Sequence, residues 1–310
     1  MVPYGDMRRT YVYLVIGAFG GPLACGDGGG DMNPPQESVS DGQMPLSSGI
    51  DVAVEAGFGV FGLTSNDGWT IEYTRFLVTF GAIEFTQADG STIEHEELGV
   101  VDVLGIETRR RLATVEVTVG STEVRFSMPA ATSGFTPIAP ASVIDRDMMA
   151  KSGYSVYVEG TISQKGGLAC VPGSPTLCTP APTVAFKLGV PIDRMFEDCP
   201  QVDVVADEYV DQTLTLSGDL WFRTDFKAPG AAAPMVRAQW LANADTNRDG
   251  EVTLEELAQI KASLLFDARL GYDTRTGAPF VIDTAADFFT AQALMIGRDA
   301  LGGCASLSTL

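Results

Sequence analysis

The 310-residue chain contains a single histidine, and that scarcity removes several chemistries at once. A catalytic zinc site usually draws on more than one imidazole, and a Ser-His-Asp relay would have only His95 to use. His95 lies in STIEHEELG, among Glu94, Glu96 and Glu97, which is the setting of a solvated strand end. No P-loop, G-x-S-x-G or C-x-x-C spacing occurs. Basic residues are also few, with 20 Lys and Arg against 40 Asp and Glu and a net charge of -20. A surface that acidic repels nucleic acid and favours cations or basic partners. No apolar run reaches the about 20 residues that span a bilayer as a helix.

The N-terminus carries a basic pair, Arg8 and Arg9, an apolar run from Tyr11 to about Phe19, and small residues up to a cysteine. This order predicts an export signal over residues 1–24. The ending GPLAC resembles the lipobox of bacterial lipoproteins, with Pro22 where that motif normally has Leu. The resemblance implies lipidation of Cys25 and a membrane anchor. Gly26 rather than Asp in the next place points to an outer membrane lipoprotein of the cell envelope, periplasmic or surface-exposed. Ordinary cleavage after a small residue is the other reading. Residues 25–50 are polar and rich in Gly and Pro, so they cannot bury a core and read as a tether.

Setting Cys25 aside leaves Cys170, Cys178, Cys199 and Cys304, an even set that suits two disulfides in an oxidising compartment. Four cysteines allow three connectivities. The short CVPGSPTLC favours Cys170 with Cys178, and Cys199 with Cys304 would then tie the C-terminal segment to the strand-rich region.

Residues 51–228 alternate between apolar and polar, as in TIEYTRFLVTF, ATVEVTVGSTEVRFSM and YSVYVEGTIS, and are broken by turn residues. The spacing predicts an antiparallel β-sandwich, with a hairpin turn at Gly120 and Ser121. Trp69 and Trp221 fit its core better than an exposed sugar-binding face. SNDGWTIEYTRFLVTFGAIEF and the following VVDVLG are similar to exported β-sandwich proteins that include the methanobactin-associated periplasmic family. That likeness covers roughly residues 57–226 and implies no ligand here, because the histidines of the copper-handling relatives are not matched.

Residues 229–310 read as a helical segment holding the most specific motif of the chain, DTNRDGEVTLEE. Asp245, Asn247, Asp249, Gly250 and Glu256 fill the first, third, fifth, sixth and twelfth places of D-x-[DN]-x-[DN]-G-x5-E. Alternate residues of a tight loop can turn hard oxygen donors inward, Gly250 allows the sharp bend, and Glu256 can close the site with both oxygens. Val236, Trp240 and Leu241 before the loop, and Leu254, Leu257, Ile260 and Leu264 after it, follow helical spacing. Over about residues 235–266 the chain resembles the EF-hand family. The resemblance implies Ca2+ as cofactor, held by Asp245, Asn247, Asp249 and Glu256, by the backbone carbonyl of Glu251, and by Thr253 through a water. Val252 would lie in a short strand bridge, and the Glu251 carboxylate would stay in solvent. A plain Asp/Asn turn before a helix would account for Asp249 and Gly250 but not for the other places.

EF-hands usually pair, yet the chain has no second complete loop. DTRTGAPFVIDT starts with Asp273 but has Gly277 fifth and Thr284 twelfth, which removes ligands. Two arrangements stay open: residues 280–282 supply the bridging strand, or the hand packs on the upstream region. A helix is expected within DTAADFFTAQALMIGRDAL.

The sequence therefore predicts a mainly β chain with a C-terminal α segment: an exported, lipid-anchored, calcium-binding protein with no catalytic constellation. Its partners would be Ca2+ and, through Cys25, a membrane. The alternatives are a cell-surface carbohydrate- or protein-recognition module, or a hydrolase using two carboxylates.

Overall fold

The alternating stretches form strands, and β3 (Thr70–Phe80) illustrates how their patterning is spent. Its first residues alternate, with Ile71 buried and Glu72 exposed, while all five from Phe76 to Phe80 are buried. The change has a tertiary cause. Helix α1 (Val143–Ser152) belongs to a small second core in which Met149, Leu77, Val100, Phe135 and Tyr157 pack together, so this half of the sheet is covered on both faces. The computed structural model describes residues 47–95, 99–226, 235–296, 304 and 306–309. Cys25, the export signal and most of the tether lie outside them.

The described residues are mainly β, in several sheets. A seven-stranded sheet runs β17 (Glu251–Thr253), β13 (Thr183–Val190), β10 (Val156–Ser163), β3, β6 (Gly99–Asp102) and β9 (Pro137–Ile138), with β2 (Leu63–Thr64) also on β3. A six-stranded sheet runs β18 (Ser306–Thr309), β14 (Arg194–Glu197), β8 (Gly120–Met128), β4 (Ile83–Thr86) and β5 (Thr92–His95), with β15 (Gln201–Val204) also on β8. A three-stranded sheet places β1 (Gly49–Ala56) between β16 (Tyr209–Leu216) and β7 (Arg110–Glu116), and β11 (Leu168–Val171) pairs with β12 (Ser174–Pro180) as a separate ribbon. Phe80 of the seven-stranded sheet meets Phe126 of the six-stranded one, their rings 6.2 Å apart.

Two expectations are corrected. Pairing is not wholly antiparallel, since β1–β16, β13–β17 and β6–β9 are parallel. Gly120 and Ser121 do not form a hairpin turn. They open β8, while β7 stops at Glu116 in a different sheet; at Gly120 a φ of 133° lets the chain change sheets where a side chain would be strained.

A helical segment comes next: α2 (Gln239–Ala244), α3 (Leu254–Gln259), α4 (Ala262–Leu265) and α5 (Ala285–Leu294). One aromatic chain joins it to the sheets. Phe186 of β13 contacts Phe222, which contacts Trp240, then Phe266, whose ring stacks on Phe288 at 4.0 Å. The described residues are accordingly one compact unit with a shared core. Cys170 bonds to Cys178 across the β11–β12 ribbon, and Cys199 bonds to Cys304.

Candidate metal centre

The acidic loop lies between α2 and α3, as the helical spacing on its flanks requires. Asp245 ends α2 as its C-cap residue, Gly250 takes a φ of 85°, and Arg248 is also left-handed at 61°. Thr253 caps α3 in a reciprocal box: the Glu256 amide donates to Thr253 Oγ1, and the Thr253 amide donates to Glu256 Oε2 at 3.0 Å. This fixes the Glu256 carboxylate at the end of the loop.

The loop's own amides hold the side chains named from sequence. Asp245 Oδ2 accepts from the Gly250 amide at 3.0 Å, Asn247 Oδ1 from the Asp249 amide at 2.8 Å, and Asp249 Oδ1 from the Glu251 amide at 2.9 Å. Among the described residues, no group of three or more His, Cys, Asp or Glu side chains is placed to hold a metal ion. The loop's donor set is broader than those residue types, because it adds the Asn247 amide oxygen and a backbone carbonyl. Asp245 Oδ1 and Glu256 Oε1 are buried and accept no hydrogen bond. Leaving one such group unmet costs about 1–3 kcal/mol, and more when it is charged. Hard oxygen atoms of this kind, free of competing hydrogen bonds, are the donors an oxygen-seeking divalent cation would use.

Glu251 departs from expectation. Its carboxylate is not simply solvated but lies 2.7 Å from Lys187 Nζ on β13, and this neighbour raises the Lys187 pKa above the ordinary lysine value. Both groups are substantially exposed, so the pair contributes little to stability. Its backbone belongs to β17, which pairs with β13 in the register Ala185 to Glu251, Phe186 to Val252 and Lys187 to Thr253. The Ala185 amide donates to the Gly250 carbonyl at 2.8 Å. The loop packs on the upstream sheet.

Residues 280–282 accordingly form no strand. Instead Lys261 and Thr284 make an isolated antiparallel bridge, with the Ala262 amide donating to Asp283 O and the Ala285 amide to Ile260 O, each at 2.9 Å. That bridge splits the helix expected after the loop into α3 and α4. Thr284 caps α5, with Asp287 completing its box, as Thr253 and Glu256 do for α3.

The supports of the loop were not legible in the sequence. Helix α2 has no cap of its own. Asp67, in the turn before β3, accepts instead from the amides of Ala238 and Gln239 at 3.0–3.2 Å, while Asn66 Oδ1 accepts from the Val236 amide at 2.7 Å. Farther along α2, Asn243 Oδ1 accepts from the Cys170 amide at 2.8 Å and from Gln239 Nε2 at 2.9 Å. The Asn-Asp-Gly turn signalled side chains free to cap something, but the helix they cap lies about 170 residues away.

The other candidates draw less from the structure. Trp69 and Trp221 are buried, so neither lines a glycan-binding face. His95 ends β5 at the edge of the six-stranded sheet. The Asp102 carboxyl titrates above the usual carboxylate range, chiefly because it is partly buried and then because Asp145 lies near, but Asp102 already caps a helical turn and Asp145 completes the capping box of α1 with Ser142. Compared with family models, curated proteins and solved structures, the chain matches none.

Proposed function

We propose that the chain is an exported calcium-binding protein in which Asp245–Glu256 form one EF-hand that holds Ca2+ as a structural brace between its helical segment and a sandwich-type β region. The carrying observation is the pair of buried carboxylate oxygens without a partner, Asp245 Oδ1 and Glu256 Oε1, at the two ends of a loop with the complete ligand pattern. Asn247, Asp249, the Glu251 carbonyl and, through water, Thr253 supply the other donors. Calcium contributes positive charge where the chain concentrates oxygens. A hand joined to a sheet on one side and to a disulfide ribbon on the other has little room to open, which favours stabilisation over switching. Affinity belongs in the extracellular range of about 10⁻⁴ to 10⁻³ M.

The two disulfides suit an oxidising, exported compartment, and no helix among the described residues is long and apolar enough to cross a membrane. Lipidation of Cys25 would hold the protein at the cell envelope, and the intact mass of membrane-extracted protein tests it.

The test of calcium binding is a calorimetric titration of the chain beside Glu256→Gln. Glutamine can still complete the capping box but offers no carboxylate. The unaltered protein should bind one ion and gain about 2.7 kcal/mol at a hundredfold excess over Kd. The variant should melt near the unaltered temperature in chelator and bind no ion. No heat and no stabilisation at several millimolar calcium would make the loop only a helix-capping turn.

A further inference from the structure

Two phenylalanines stand in solvent just beyond β1. Phe58 is 71 % exposed and Phe61 65 %, while Val60 between them is fully buried. The loop that carries them, GFGVFG, has a fixed backbone. Its Gly57 amide donates to Leu216 O and its Phe58 carbonyl accepts from the Gly218 amide, each at 2.8 Å, and the Gly62 amide donates to Gly59 O at 3.2 Å. Backbone approaches backbone here so closely that a Cβ on Gly218 would lie 2.6 Å from Gly59. The glycines thus dock the loop on the end of β16 and leave the two rings outside.

The spacing of Gly57, Gly59 and Gly62 is that of a dinucleotide fingerprint, but that site needs a helix opening at the glycines. Here the glycines lead into β2, so the loop offers no helix terminus to a phosphate. Its distinguishing chemistry is apolar.

The two segments that build this end of the fold carry no charge. In a chain of net charge -20, neither residues 56–66 nor residues 214–218 include a charged side chain. The flanking acids are engaged: Glu55 accepts from Thr215 Oγ1 at 2.7 Å, and Asp219 is buried against Arg223. Most of this acidic surface would be repelled by anionic headgroups, whereas exposed phenylalanines on an uncharged segment suit the headgroup–acyl boundary of a bilayer. The chain leading from Cys25 to Ser47 is long enough for such contact. Its 22 steps along the chain reach at most about 75 Å, more than the roughly 26 Å that the eight residues of β1 cover.

We infer that Phe58 and Phe61 insert into the headgroup–acyl boundary of a phospholipid membrane and orient the folded domain on it. The inference rests on the lipid-anchor reading only for how the domain is brought to that membrane.

The test uses the chain from residue 25 onward with Cys25→Ala, so that acylation plays no part, and Phe58→Trp as a reporter. Trp69, Trp221 and Trp240 are buried, which leaves the introduced indole as the water-exposed one. With phosphatidylcholine vesicles its emission should shift to the blue and be quenched by brominated acyl chains. Adding Phe61→Ser should reduce that quenching by about threefold or more, as expected when half of a small apolar anchor is removed. Both positions stand in solvent, and melting temperatures check that each variant folds. An emission that stays that of a water-exposed indole at every lipid concentration overturns the inference. So does a blue shift that tracks protein concentration without lipid, which would make the rings a contact between copies of the chain. Absence of an acyl group on Cys25 in membrane-extracted protein would remove the anchor and leave the vesicle result standing.

Discussion

Val252, eighth in the acidic loop, pairs in parallel register with Phe186 of β13, and both side chains are fully buried. The short strand of the loop thus joins a β-sheet. The loop is therefore braced by the seven-stranded sheet. Val252→Ala should destabilise the chain by about 2 kcal/mol, the lower end for emptying an aliphatic site, and should also weaken calcium binding. Urea unfolding in chelator reads the first effect and calorimetry the second. A stability loss with unchanged affinity would mean that the β13 pairing does not position the ligands.

Asp67 supplies from the β2–β3 turn the cap that α2 lacks. Asp67→Ala should cost about 0.5–2 kcal/mol, the usual range for a lost N-cap, and should lower calcium affinity by fraying the helix that ends at Asp245. Asp67→Asn keeps an acceptor and should recover most of both. Thermal melts with and without calcium separate the two contributions.

The disulfides differ in what they close. Cys170 and Cys178 are 8 residues apart, Cys199 and Cys304 105. On chain entropy, replacing the first pair by serine should cost about 2–3 kcal/mol and the second about 4–5 kcal/mol. Only the first should also weaken calcium binding, because the Cys170 amide donates to Asn243 of α2. Denaturant curves and calcium titrations of the two double variants check the order and the selectivity.

Asp102 gives a pH signature of known sign. Its carboxyl is raised above the unfolded value by burial first and by Asp145 second. The folded state therefore holds the proton more tightly, and stability from this group falls as pH rises from the ordinary carboxylate range through the raised folded value. Asp102→Asn, which can still accept from the Leu104 amide, should stabilise the protein at neutral pH and lose that advantage at pH near 4. Unfolding curves at the two pH values decide it; an equal effect at both would point to packing instead of charge.

How much of this was legible beforehand depends on how far apart the cooperating residues lie. The twelve residues from Asp245 to Glu256 carry their own turn, cap and donors, so the loop could be read in one place. Strands announced themselves by alternation for the same local reason, but sheet membership did not: β7 and β8 are three residues apart and belong to different sheets, because a positive φ at Gly120 redirects the chain. The helix after the loop looked continuous by apolar spacing, yet Lys261 leaves it to bridge Thr284.

The sequence by itself determined a mainly β chain with a C-terminal helical segment, the loop with its oxygen donors, and an even set of four cysteines after Cys25. Tertiary structure alone decided that the loop's strand joins β13, that Asp67 caps α2, that Glu251 turns to Lys187, and that Phe58 and Phe61 remain in solvent. The reason is physical: ligand spacing and strand alternation are set by neighbouring φ and ψ, whereas a partner for a free amide, charge or apolar face is chosen only when distant segments meet.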